Sequence, residues 1–170
     1  DRDRRVLGVI PWGKAERTDC TAEDRLRVQV AGSPFAEGAC RLAYHGMMRG
    51  KPVVLKSFKA AARDDHSREQ YLRQTEVSAI AAFLAETFQR ERRPPVAIRF
   101  LPCHVVELEA EGGTRRYNVE ARLPEGEFVK FCNNMGYWDV DRAERCLADF
   151  CKWTHDVTRG YMMVADLQGV

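Results

Sequence analysis

The hydrophobic period of this chain switches twice, and that limits the folds open to it. Arg27 to Ala31 alternates as a half-buried strand does, and Cys40–Met48 and Pro52–Phe58 read as two more strands. Gly32-Ser33-Pro34 turns the chain between the first two, and Arg49-Gly50-Lys51 joins the second pair, so the opening reads as an antiparallel meander. From about Ser67 to Gln89 the period becomes helical, with Leu72, Ile80, Phe83, Leu84 and Phe88 on one stripe and Pro94-Pro95 beyond its end. Strand character returns in Val96–Glu109, with Pro102 as a candidate break, and in Thr114–Leu123, with Gly112-Gly113 as the hairpin turn and a loop at Pro124-Glu125-Gly126. A second helix is expected from Asp141, where Asp141 and Glu144 have capping-box spacing, to Arg159-Gly160. A strand over Tyr161–Leu167 then leads into Gln168-Gly169. Strands, helix, strands, helix, strand is an α+β order, not alternating βα units.

Composition removes several classes. The longest wholly apolar run, Ala79–Ala85, is seven residues, too short to span a bilayer. With 27 basic and 25 acidic residues, net +2, no basic stripe marks a nucleic-acid surface. The six Cys form no CxxC pair and fit neither a disulfide framework nor a zinc ribbon, so reduced thiols in the cytoplasm are expected. The polar first 25 residues, interrupted by Pro11-Trp12-Gly13, read as an arm or lead-in strand. No signal pattern opens the chain and it starts without Met, which suggests a soluble piece of a longer protein.

Lys56 is the first residue that invites chemistry. In VVLKSF it shares a strand face with Val54 and Phe58, and a half-buried ammonium needs a carboxylate or a phosphate beside it. The same Lys on an edge strand would reach water. Gly32 to Arg41 (GSPFAEGACR) joins two strands and contains Gly32, Gly38 and Arg41, the ingredients of a phosphate-covering loop and of an ordinary hairpin alike. Glu120 to Gly126 is a strand-to-loop hinge whose backbone suits an adenine edge, or a plain connection. Lys130 to Gly136 (KFCNNMG) is a polar turn able to hold phosphate or substrate. Asp166 at a strand end, with Gln168 two residues on, fits Mg²⁺ ligation and general-base duty, or a turn cap. His155 stands near Cys151 at helical spacing, which permits a metal pair.

The order of these segments is more specific than any of them. GSPFAEGACRLAY, VVLKSF, VEARLPEGEFVKFCNNMG and FCKWTHDVTRGYMMVADLQGV, in that sequence, resemble the alpha-kinase family of atypical Ser/Thr protein kinases over residues 27–170. The resemblance implies a two-lobed α+β fold. A first lobe would run over 27–123 after an extension at 1–26, and a second, incomplete lobe would start at 124–170. It implies ATP and Mg²⁺ as cofactors and a protein Ser or Thr as substrate. Lys56 would meet the ATP phosphates, Gly32 to Arg41 would cover them, and Glu120 and Leu123 would line the adenine pocket. Lys130, Asn133, Asn134 and Gly136 would form the loop near phosphate and substrate, with Asp166 as catalytic acid/base and Gln168 as metal ligand.

Glu76 is the helix acid that would support Lys56, and Gln74 stands where the family often has an acid. The family also has a structural zinc site. One of its ligands is a His at the position of Lys152 here, and His155 is the nearest substitute. Positions beyond Val170, with further family ligands, are not in this sequence. Nothing matches the HRD or DFG signatures of ordinary protein kinases. Two other functions compete: a nucleotide-binding or scaffolding pseudokinase, and a Cys/His metal or redox module.

Overall fold

A computed structural model describes residues 28–59, 68–110, 113–123 and 126–170. The proposed arm and extension, most of the charged stretch over 59–70, Gly112 and Pro124-Glu125 lie outside these residues.

Six strands form one antiparallel sheet: β1 (Val28–Val30), β2 (Ala36–Glu37), β3 (Arg41–Met48), β4 (Lys51–Phe58), β5 (Cys103–Ala110) and β6 (Gly113–Ala121). Their order is β1-β3-β4-β6-β5, with β2 paired onto β3. Between β3 and β4 the turn uses Arg49 and Gly50, both at positive φ (51° and 73°). Alternation then sorts the side chains. Val53 and Leu55 of β4 join Tyr117 and Val119 of β6 in one buried cluster, flanked by Val28, Val30, Tyr44 and Met48. Lys56 and Glu120 take the opposite face.

Helix α1 (Arg68–Arg92) ties two cores together. Its first half lies along β5 and β6, where Asn118 Nδ2 donates to the Tyr71 carbonyl (2.9 Å) and Ser78 Oγ to the Leu101 carbonyl (2.9 Å). Its second half sends Leu84, Ala85 and Phe88 into a separate core with Phe150 and Trp153 of α2 (Arg145–Val157). Phe88 packs against both aromatic rings, with centroids 5.4 Å away in each case. Arg93 at φ 48° and Pro94-Pro95 end α1. A two-stranded ladder, β7 (Val129–Lys130) with β8 (Gln168–Gly169), completes the second part.

Three expectations are corrected. Val96–Pro102 is not strand: β5 begins at Cys103, because side chains of α1 take the carbonyls of the preceding segment, Gln89 at Ile98 (3.0 Å) and Ser78 at Leu101. Helix α2 begins at Arg145 rather than near Asp141, and Glu144 caps it with no side-chain bond. The Asp139 carboxylate accepts the N–H groups of Asp141 (3.2 Å) and Arg142 (3.1 Å), which makes a turn of the expected first helical residues. Tyr161–Leu167 is not strand either. Thr158 and Thr154 hydroxyls accept the N–H groups of Met162 (3.2 Å) and Val164 (3.0 Å), so this extended segment is held by α2 and only Gln168–Gly169 pairs in a ladder.

Candidate functional site

Lys56 finds its partner on the neighbouring strand. Its Nζ lies 2.5 Å from Glu120 Oε2, and the two side chains are 27% and 19% exposed. Val54 faces Glu120 in the register and Lys56 faces Asn118, so the pair is a diagonal contact across β4 and β6 on one sheet face. This corrects the expectation of a helix acid: Glu76 is exposed, and the carboxylate comes from β6. A strand neighbour on the same face meets the lysine without any helix placement.

Two adjoining cavities share this pair. The larger, about 650 Å³, includes Ala43, Val54, Leu123 and Phe128 in its walls. The other, about 510 Å³, is walled by Arg41 on the sheet side and by Asp166 and Gln168 on the other. Arg41 sits at the start of β3, two residues before Ala43, which pairs with Lys56, so alternation puts all three on one face. Asp166 has φ 59°, in the left-handed region that Asp tolerates better than most residues. Its Oδ1 lies 3.0 Å from Lys130 Nζ, and both side chains are half exposed. The β7–β8 register, Lys130 opposite Gln168, sets that contact.

The cleft thus gathers Arg41, Lys56, Glu120, Leu123, Asp166 and Gln168, with Lys130 attached through Asp166. Asn133, Asn134 and Gly136 are not on its walls. Asn133 Oδ1 instead accepts the N–H groups of Met135 (2.8 Å) and Tyr137 (2.9 Å), closing the turn in which Gly136 has φ 93°. Gly32 and Gly38 also stay off the walls, and a Cβ on Gly32 would meet nothing within 4 Å.

Among the lining residues that sequence reasoning did not single out are the rings of Phe35, His45 and Phe128. Alternation along β3 would have found His45, which shares a face with Ala43 and Arg41. Phe35 and His45 stack with centroids 3.9 Å apart and planes 8° from parallel. The same loop is held by Ala31 N–H to the His45 carbonyl (2.9 Å) and Phe35 N–H to the Ala43 carbonyl (2.9 Å). His45→Ala is expected to cost this anchor roughly 1 kcal/mol, or about a fivefold rise in local opening. Hydrogen exchange at the Ala31 and Phe35 amides reads it, and His45→Phe should restore protection. Unchanged exchange in the Ala variant would show that the backbone bonds alone hold the loop.

Asp166 and Gln168 put a carboxylate and an amide oxygen on one cavity wall, a donor set that fits Mg²⁺. Lys152 donates to Asp156 Oδ2 at 2.5 Å, and His155 Nδ1 lies 3.6 Å from Asp156 Oδ1. Among the described residues no three His, Cys, Asp or Glu side chains gather at one point. Five described cysteines are free thiols, four of them buried. Burial pushes the Cys151 thiol up to about 12, which keeps it protonated and unreactive at neutral pH. Cys132 accepts the Leu167 N–H through sulfur (3.4 Å), a packing role one residue beyond Asp166.

A lysine–glutamate pair on a sheet, facing a carboxylate from a second lobe across a cleft, defines a fold of the two-lobed atypical protein-kinase class. The Alpha-kinase family profile matches residues 36–170, and the chain belongs to that family. It is 30% identical over 152 residues to alpha-protein kinase vwkA of Dictyostelium discoideum, which covers 87% of this chain and 24% of that protein. Myosin heavy chain kinase C of the same organism is 30% identical over 179 residues, 97% of this chain and 22% of that protein. This chain therefore spans less than a quarter of either relative's length. The crystal structure of the alpha-kinase domain of myosin-II heavy chain kinase A in complex with AMP-PNP superposes with a TM-score of 0.75 at 26% identity, over 85% of this chain and 70% of that one. The ADP complex of the same domain gives 0.75 at 25% identity, over 85% and 70%.

Proposed function

We propose that this chain carries the ATP cleft of a cytoplasmic protein kinase that phosphorylates Ser or Thr on protein substrates. The observation that carries this is the convergence of Lys56–Glu120 and Asp166–Gln168 on adjoining cavities. Family membership and the nucleotide complexes of its structural neighbours support it. The first lobe is taken as 27–123 and the second as starting at 124.

Apolar Ala43, Val54 and Leu123 suit a nucleobase in the larger cavity, while Lys56 and Arg41 meet the phosphates in the other. Glu120 holds the Lys56 ammonium on the cleft side of the sheet. Asp166 accepts the proton of the substrate hydroxyl as that oxygen bonds to the γ-phosphorus, the bond to the bridging oxygen breaks, and ADP leaves. Mg²⁺ held by Asp166 and Gln168 would neutralise phosphate charge. Lys130, 3.0 Å from Asp166, orients the carboxylate and adds charge beside it. Free thiols accord with a reducing compartment. No helix among the described residues is long and apolar enough to cross a membrane.

Thermal unfolding with and without MgATP tests the cleft. Binding at a hundredfold excess over Kd stabilises by about 2.7 kcal/mol, or about 5–10 °C for a chain this size. Lys56→Ala should lose that shift. No shift in the wild type, with a cooperative transition, would remove the nucleotide reading. A shift without phosphoryl transfer to any Ser or Thr peptide would favour the pseudokinase.

A further inference from the structure

A separate cavity of about 330 Å³ shares no lining residue with the cleft. Tyr44 of β3, Ser57 of β4, Tyr71 of α1 and the β6 run from Thr114 to Tyr117 form its walls. The composition is one-sided: each described lining side chain is a hydrogen-bond donor, and none of the described lining residues is a carboxylate.

Two of the donors are fixed by burial, since Tyr71 is 3% and Tyr117 7% exposed. Tyr71 Oη accepts the Phe58 N–H at 3.2 Å, which leaves its own proton free to donate into the cavity. Burial pushes the Tyr71 phenol up, the Phe58 bond and Arg116 oppose this, and Tyr117 and Tyr44 add to it, so these groups lie within electrostatic range of one another. Tyr71 therefore meets a ligand as a neutral O–H donor at neutral pH. Tyr44 and Tyr117 are also in edge contact, with centroids 6.0 Å apart, which fixes their spacing.

The two cations differ. Arg116 Nε lies 2.8 Å from Glu107 Oε1. Arg115, the preceding residue and exposed, makes no ion pair with any described residue. A guanidinium with no ion pair among the described residues, beside phenol and hydroxyl donors, matches a group with three acceptor oxygens and two negative charges. A monocarboxylate has fewer acceptors than this wall has donors. The volume is about half that of the larger cleft cavity, too small to repeat the nucleotide site and ample for one tetrahedral anion with its ester carbon.

We propose that this cavity binds a phosphate monoester dianion, held by Arg115 with Tyr44, Ser57 and Thr114. The inference does not rest on the cleft's function, because no residue is shared. Family membership makes the ligand chemistry apt, since kinases produce phosphate monoesters.

Calorimetric titration with inorganic phosphate, a phosphothreonine peptide and its unphosphorylated form tests this, on wild type, Lys56→Ala, Arg115→Gln and Tyr44→Phe. The phosphothreonine peptide should bind wild type and Lys56→Ala alike, and the unphosphorylated peptide should not bind. Arg115→Gln should weaken binding by about tenfold or more, and Tyr44→Phe by about threefold to tenfold. Arg115 is exposed, so its variant should melt as wild type does; should it not fold, Tyr44→Phe carries the same test. Phosphate as tight as the peptide would assign the site to the free ion, and a tighter peptide to phosphorylated side chains; both support the phosphate chemistry. Binding indifferent to Arg115→Gln and Tyr44→Phe, binding lost in Lys56→Ala instead, or no binding by either ligand would overturn it.

Discussion

Gly46→Ala is expected to lower the melting temperature by about 5–10 °C, from a cost of about 2–3 kcal/mol. Alanine normally favours a strand interior over glycine, so backbone entropy alone predicts the opposite sign. Space reverses it. A Cβ at Gly46 would stand 2.2 Å from Leu55 Cδ1 and 2.5 Å from the Gln29 carbonyl oxygen. Neither can yield easily: Leu55 is fully buried in the first sheet's core, and Gln29 is backbone of β1, paired in register with β3. Either Leu55 leaves its rotamer or β1 moves off the sheet. Leu55→Val removes the clashing methyl, so Gly46→Ala should cost less in that background. Equal costs in both backgrounds, or a melting shift under about 1 °C in the wild-type background, would refute close packing at Gly46.

The fold was legible wherever the period was local and strong. β3, β4 and α1 sit within a few residues of their expected bounds, because alternation, a Gly turn and a Pro-Pro stop are properties of the chain itself. The failures share a different cause. Residues 96–102 and 161–167 are apolar and β-branched enough to read as strands, yet side chains from α1 and α2 take their backbone groups. A segment's hydrogen-bond partner is a tertiary fact, and propensity cannot supply it. Asp141 failed for the same reason, as Asp139 two residues earlier claimed the turn.

The cleft was legible to a similar depth. Lys56 stood out because an ammonium within an apolar alternating run needs an anion, and one is present at 2.5 Å. Which anion was not legible. Glu76 and Glu120 are both acids on neighbouring elements, and only the β4–β6 register selects Glu120. Asn133 invited two readings, a phosphate or substrate loop and a plain turn, and its Oδ1 supplies the turn by accepting two backbone N–H groups. Phe35 lay outside any local rule, since its stacking partner His45 sits ten residues along, on the next long strand.

Under the proposed function, Asp166→Asn should abolish most phosphoryl transfer while leaving nucleotide binding within a few-fold. General-base removal costs about 10²–10⁴ in rate. The choice of Asn is dictated by the backbone. Asp166 has φ 59°, and Asn tolerates that region, whereas Ala there would add about 1–2 kcal/mol of strain and blur a catalytic loss with a structural one. Asn also keeps an oxygen near Lys130, 3.0 Å from the present carboxylate, so the β7–β8 pairing should survive. The prediction separates by parameter: kcat falls, the MgATP-induced melting shift persists, and the unliganded melting temperature stays within about 2 °C. Lys56→Ala should behave in the reverse way, losing the melting shift first, because its ammonium meets ground-state phosphates. Equal loss of the melting shift in both variants would place Asp166 in nucleotide binding alone. Full turnover in Asp166→Asn would move the base elsewhere, and Glu144 on the same cavity wall would then be the next carboxylate to replace.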